Sequence, residues 1–97
     1  MGAKIEVEKV GEGEFHVRVV EGGTTTSHRV TLKAADHARI AGGQATAQEL
    51  VRRSFEFLLE NEPKESILRE FDLTLIGRYF PGYEREIKRR LGGREIG

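Results

Sequence analysis

The chain has 97 residues, with sixteen Lys and Arg against sixteen Asp and Glu and no cysteine; this length supports one hydrophobic core, so we expect a single domain over residues 1–97. Zero net charge provides no long-range attraction to nucleic acid or to an anionic membrane, and the lack of cysteine excludes disulfide bonds, thiolate zinc sites and cysteine nucleophiles. Because the sequence has no apolar run of the length that a signal peptide or a membrane span requires, we expect a cytoplasmic protein with no membrane partner.

The first third of the chain alternates between apolar and polar residues, the spacing typical of strands. Three such runs lie at about residues 3–10, 14–20 and 25–32, and the segments GEGE and EGGT between them are typical of tight turns. The third strand, TTTSHRVTL, is β-branched and nearly uncharged, so we expect it to present a free edge that can pair with another chain. The pattern predicts an antiparallel three-stranded β-meander, with a polar face formed by Glu6, Glu8, His16, Arg18, Arg29 and Thr31.

Helical spacing replaces the alternation after the third strand. A short helix is predicted for KAADHARIA, ended by the glycines that follow it. Thr46 and Glu49 then form a capping box that begins a long helix, which Pro63 terminates. Because the apolar residues of this long helix cover a wide arc, we expect it to lie centrally and to contact more than one neighbour.

Three shorter helical segments are predicted in the C-terminal part. The first is PKESILREF, with Ile67, Leu68 and Phe71 facing inward. The second is LTLIGRYF, capped by Asp72, and the third is YEREIKRRL, followed by a loose tail at 92–97. The predicted fold class is therefore α+β, a three-stranded antiparallel β-meander at about 3–32 followed by three to four helices packed on one face at about 33–91.

The segment from Ser66 to Glu84, SILREFDLTLIGRYFPGYE, carries a distinctive pattern. It resembles a C-terminal signature, SILxEFDLxxIxxYFPxYE, of small uncharacterised bacterial proteins that also have a strand-rich N-terminal part. The resemblance implies a natural bacterial domain. It implies no activity, cofactor or binding residue, because no function is attached to that family.

Four of the seven aromatic residues lie between Phe71 and Ile87. Arginines alternate with these aromatics, an arrangement that also occurs where single-stranded nucleic acid stacks on a protein. However, Leu and Ile residues share the segment, and a chain without tryptophan builds its core from Phe, Leu and Ile. We therefore expect this segment to be mostly interior, with Tyr79 and Tyr83 keeping their hydroxyl groups in water.

A basic cluster near the C-terminus offers a second candidate surface. It could contact phosphate groups, and its binding would then weaken steeply with salt. The alternative is a solvated helix face, favoured by the pairs Glu84–Lys88 and Glu86–Arg90 at i,i+4 spacing. The cluster consists of Arg85, Lys88, Arg89, Arg90 and Arg94.

The sequence contains no recognisable catalytic, metal or nucleotide motif. His16 and His28 lie on neighbouring predicted strands, and with Asp36 or His37 they could converge on a divalent ion. No metal-binding spacing supports such a site, so surface histidines are favoured. We expect a non-enzyme without cofactor or metal, although a site completed by another chain in a complex stays open.

These patterns lead to two functional hypotheses. The first is a non-enzymatic protein-interaction module that self-associates as a homodimer, through the free strand edge or the aromatic C-terminal helices. The alternative is a small nucleic-acid-binding regulator with phosphate contacts from Arg52, Arg53, Arg85, Lys88, Arg89 and Arg90. The candidate partner contacts are Arg78, Tyr79, Tyr83, Arg85, Lys88 and Arg89.

Overall fold

A computed structural model describes residues 2–92, which form an α+β fold with a four-stranded mixed sheet and four α-helices. The strands follow the order β1-β2-β3-β4; the first three are antiparallel, and β4 is parallel to β3. The predicted meander is therefore confirmed, whereas the fourth strand was not predicted. The strands are β1 at Lys4–Gly11, β2 at Glu14–Glu21, β3 at Thr24–Thr31 and β4 at Glu70–Asp72.

Glycine turns set the register of the meander. Gly13 has a φ of 65°, and a Cβ atom there would lie 2.9 Å from the carbonyl oxygen of Leu32, so this position requires glycine. The resulting register places Phe15, Val17 and Val19 on one face of β2, where all three are buried. The predicted polar residues of the meander alternate with these core residues and lie on the opposite face.

The helices agree in number with the predicted three to four. The long helix begins as expected, because the hydroxyl of Thr46 accepts a hydrogen bond of 3.1 Å from the backbone N–H of Glu49. Two single 3₁₀ turns, Lys64–Ser66 and Leu73–Leu75, lie between the second and third helices. The helices are α1 at Ala34–Ala41, α2 at Ala47–Asn61, α3 at Ile76–Tyr79 and α4 at Tyr83–Gly92.

The predicted helix PKESILREF is wrong. After the 3₁₀ turn at Lys64–Ser66 the chain extends and becomes β4, which pairs with the C-terminal part of β3. The backbone N–H of Arg29 donates to the carbonyl oxygen of Arg69 at 2.7 Å, a long-range bond that a helix could not form. The prediction that β3 presents a free edge is therefore also wrong where β4 covers it, at 29–31.

All four helices contribute to a single hydrophobic core on one face of the sheet. The centre of this core is Phe55 of α2, which is fully buried with its ring centroid 6.0 Å from that of Phe71. Gly92 still belongs to α4, so the predicted loose tail does not begin there. The rest of that tail, with Arg94, lies outside the described residues. Within residues 2–92, no helix combines the length and the apolar character needed to cross a membrane.

Candidate interaction surface

A groove with apolar walls opens between the C-terminal half of α2 and the segment that connects α2 to α4. Its volume is about 280 Å³. Of the three large hydrophobic side chains exposed among residues 2–92, two line this groove: Leu68 is 48% exposed and Tyr79 is 66% exposed. Clustered exposed apolar groups are typical of interaction sites. The walls include Leu58, Ile67, Phe71, Leu75, Ile76 and Phe80; this surface is called the apolar groove below.

Leu68 is exposed because its backbone, not its side chain, is anchored to the sheet. Its carbonyl oxygen lies 2.8 Å from Nδ1 of His28. The side chains of Ile67 and Phe71, on either side of this anchor, are buried in the core. The prediction that Leu68 faces inward is therefore wrong, because it assumed helical spacing.

His28 is a core residue rather than the expected surface histidine, since it is only 2% exposed. A carbonyl oxygen can only accept, so Nδ1 carries the ring proton and donates to Leu68, and Nε2 accepts from the hydroxyl of Thr26 at 2.9 Å. Burial lowers the pKa of His28, and the nearby charge of Arg69 lowers it further. Together they outweigh the hydrogen bond to Leu68, which alone would raise the pKa. At neutral pH the imidazole is uncharged and fastens β3 to the wall of the apolar groove.

Asp72 fixes the other end of this wall. As predicted, it caps a turn: its carboxylate accepts from the backbone N–H of Thr74 at 3.1 Å and from the Thr74 hydroxyl at 2.5 Å. It also accepts from the Thr31 hydroxyl at 2.7 Å, which links β4 to β3. Partial burial alone would raise the pKa of Asp72, but the hydrogen bonds from Thr74 and Thr31 outweigh it and lower that pKa. The side chain therefore stabilises the turn that leads into α3 and Tyr79.

The predicted partner contacts do not all reach the surface. Arg78 and Tyr79 are exposed on α3, and Tyr79 lines the apolar groove. On α4, exposed positions are occupied by Arg85, Lys88 and Arg89. The structure thus leaves five of the six predicted contacts on the surface but brings only Tyr79 to the groove.

The sixth, Tyr83, is fully buried, so the expectation that its hydroxyl remains in water is wrong. Ser54 Oγ donates to the carbonyl oxygen of Leu50 at 2.8 Å, and the Tyr83 hydroxyl donates to Ser54 Oγ at 2.6 Å. Burial strongly raises the pKa of Tyr83. This residue ties α4 to α2 and is not available to a partner.

Carboxylates pair with two members of the predicted basic cluster, Arg89 and Arg90. The guanidinium of Arg89, followed by that of Arg90, lowers the pKa of Glu86 to about 2. The predicted i,i+4 pair of Glu86 and Arg90 is confirmed at 2.8 Å, and Arg90 also contacts Glu60 of α2 at 2.6 Å. The predicted partner of Lys88, Glu84, instead contacts Arg39 of α1 at 2.5 Å.

The basic residues of α2 are also paired with carboxylates. Arg53 lies 2.8 Å from Glu49 and 3.1 Å from Glu56, and Arg52 lies 4.0 Å from Glu49. Side chains of both signs therefore alternate across this helix surface.

The three histidines do not converge. His16 pairs across the sheet with Arg29, whereas His28 pairs with Val17, so the two imidazoles lie on opposite faces. His37 Nε2 donates to the carbonyl oxygen of Ala45 at 2.8 Å, which secures the connection between α1 and α2. No group of three metal-ligating side chains is found within residues 2–92.

Comparison with protein-family models finds no match for this chain, and comparisons with curated proteins and with solved structures likewise find none. The resemblance of residues 66–84 to a bacterial signature therefore stays a prediction. The geometry described above carries the functional argument on its own.

The site residues that the sequence reasoning missed include Leu68, Leu58 of α2 and Glu62, which follows α2 as its C-cap. One signal for Leu68 exists in the sequence. Phe71 and Leu73 alternate with polar Glu70 and Asp72, which is strand spacing, whereas Ile67 and Phe71, four positions apart, fit a helix as well. The participation of α2 had no comparable local signal.

Proposed function

We propose that this protein is a non-enzymatic interaction module that self-associates and that binds a hydrophobic segment of a protein partner in the apolar groove. The main support is the exposure of Leu68 and Tyr79 beside a groove with apolar walls. Burying such side chains against a partner is favourable by roughly 25 cal/mol for each Å² of apolar surface removed from water. Their exposure in the monomer costs stability that binding recovers.

The chemistry of the groove limits the partner. Among residues 2–92, Glu62 is the only charged residue that lines it, and the carboxylate of nearby Glu65 is paired with Lys64 at 2.8 Å. A segment with one or two large apolar side chains followed by a lysine or arginine complements this arrangement. The proposal is therefore an extended or helical partner segment with apolar anchors and a basic residue at the Glu62 end.

The perturbed titratable groups support a non-enzymatic role. Shifted pKa values often mark catalytic residues, but each buried case here has a structural partner. His28 holds Leu68, Asp72 caps the following turn, and Tyr83 binds Ser54. Burial in the core causes the pKa shifts of His28 and Tyr83, and the hydrogen bonds from Thr74 and Thr31 lower the pKa of Asp72, so all three shifts follow from structural roles.

The ion pairs favour a protein partner over nucleic acid. Four of the six candidate phosphate contacts have carboxylates within 4.0 Å: Arg52, Arg53, Arg89 and Arg90. Phosphate binding would have to displace these carboxylates. Filter binding of single- and double-stranded DNA and RNA at low salt checks the alternative, and uptake that falls with rising salt would favour it.

Site-specific photo-crosslinking in the native host tests the groove. A photoreactive phenylalanine is placed at Tyr79, and the matched control is placed at Val10, the exposed hydrophobic residue outside the groove. We expect position 79 to crosslink to a partner segment with apolar and basic residues, identified by mass spectrometry, and Leu68→Asp to abolish that product. Equal products at both positions, or products unaffected by Leu68→Asp, would overturn the proposal.

A further inference from the structure

The outer edge of β1 is the long open edge of the sheet. β1 ends the strand order, so no strand among residues 2–92 pairs with its outer side. It is eight residues long, compared with three for β4 at the opposite edge. Such an edge presents backbone N–H and C=O groups that can pair with another strand.

We propose that two copies of the chain pair antiparallel through β1, about a two-fold axis at Ile5. This inference deepens the self-association part of the proposed function and rests on it, but it uses a surface separate from the apolar groove. Directly opposed residues share one face of a sheet, so a two-fold axis normal to the sheet must pass at a residue and not between residues. The possible registers are therefore few, and each can be judged by its charges.

The axis at Ile5 places complementary residues together. Lys4 lies opposite Glu6 of the second copy, and by symmetry the reverse pair forms as well. Lys4 and Glu6 already pair with each other within one copy at 3.5 Å, but they are 73% and 41% exposed, so this pair can exchange for the cross-strand pair. On the core face, Ile5 lies opposite its own copy, and Ala3 lies opposite Val7 of the second copy. Opposite-charge and apolar cross-strand pairs both stabilise a sheet.

Neighbouring registers place like charges together. An axis at Lys4, Glu6 or Glu8 sets each of these residues against itself, and an axis at Val7 sets Glu6 against Glu8 of the second copy. Like charges directly opposite each other destabilise strand pairing. The strand is also irregular between Lys9 and Gly11, which ends regular pairing on that side. The charges therefore select the axis at Ile5.

The helix beside β1 carries the same kind of self-complementarity. Arg52 and Glu56 of α2 line a shallow pocket together with residues 3–7, so both lie next to the open edge. They are one helical turn apart and opposite in charge. A two-fold axis reverses their order in the second copy, so each charge meets the opposite one.

Charge reversal tests the register. Lys4→Glu sets two carboxylates opposite each other across the dimer, and Glu6→Lys sets two ammonium groups opposite each other, so each variant alone should associate at least ~10-fold more weakly than the parent. In a mixture of the two variants, both cross-strand pairs are like-charged in either homodimer but not in the heterodimer. The pairs in the heterodimer are then two carboxylates of one copy facing two ammonium groups of the other. Both pairs are attractive, and we expect a heterodimer of near-parental affinity by sedimentation velocity.

Circular dichroism checks that each charge-reversal variant is folded before its association is compared with that of the parent. A mixture of Lys4→Glu and Glu6→Lys proteins that associates no better than either variant alone would overturn the proposed register.

Cysteine crosslinking provides a second test, because the chain has no native cysteine. We expect a mixture of Lys4→Cys and Glu6→Cys proteins to form disulfide heterodimers faster than either protein forms homodimers. Thr25→Cys, exposed on β3, is the control and should not crosslink selectively. Equal rates for all combinations would refute pairing through β1. That result would not change the crosslinking expected at Tyr79. The β1 pairing and the apolar groove can therefore be refuted independently.

Discussion

The buried hydrogen bond between Tyr83 and Ser54 gives a quantitative test of how α4 is attached to α2. Ser54→Ala leaves the Tyr83 hydroxyl without a partner in a fully buried position, which costs about 1–3 kcal/mol. Tyr83→Phe costs less, about 1 kcal/mol, because Ser54 still donates to the carbonyl oxygen of Leu50. The double variant removes both partners of the same bond, so its cost should fall below the sum of the single costs by about 1 kcal/mol.

Thermal unfolding followed by circular dichroism measures these differences. A loss of 1 kcal/mol lowers Tm by about 4–8 °C in a domain of this size, so each effect is resolvable. Tyr79→Phe is the matched control: Tyr79 is 66% exposed, and its substitution should change stability by less than about 0.5 kcal/mol. Additive costs for Ser54→Ala and Tyr83→Phe, or a neutral Ser54→Ala, would refute the buried bond.

Two further predictions concern the wall of the apolar groove. Because burial lowers the pKa of His28, the unfolded chain binds more protons than the folded chain below the usual value of 6.5. The free energy of unfolding should therefore fall as pH drops below 6.5. His28→Gln, but not the control His16→Gln, should remove this pH dependence from the urea midpoints. Asp72→Ala removes the acceptor for Thr31 and Thr74, so we expect a loss of about 1–3 kcal/mol with hydrogen-exchange protection reduced first at the Arg29 amide; uniform loss across the sheet would contradict this.

Local signals in the sequence predicted the local elements. The meander follows from two-residue alternation with glycine turns, and α2 follows from its Thr46 cap, its apolar arc and Pro63. Asp72 was recognised as a cap for the same reason, since its hydrogen bonds reach only two residues ahead. These features depend on neighbours in sequence, which a pattern can show.

The incorrect predictions concern contacts between distant parts of the chain. β4 forms because it pairs with β3, which lies far earlier in the chain. Tyr83 is buried because α4 packs against α2 at Ser54. His28 shares the inward phase of Val30, but its polar ring suggested the surface; the carbonyl of Leu68 and the hydroxyl of Thr26 together make its burial favourable. Leu68 itself is exposed as a consequence of that same bond. The apolar groove depends on all of these contacts.

Sedimentation equilibrium of the unmodified protein tests self-association most directly. The monomer has a mass of 10.9 kDa. We expect the weight-average mass to rise with protein concentration toward twice that value, and to rise less at high salt because the proposed Lys4–Glu6 pairs are exposed and screened. A mass that stays at 10.9 kDa over the whole concentration range, at low and at high salt, would contradict the account.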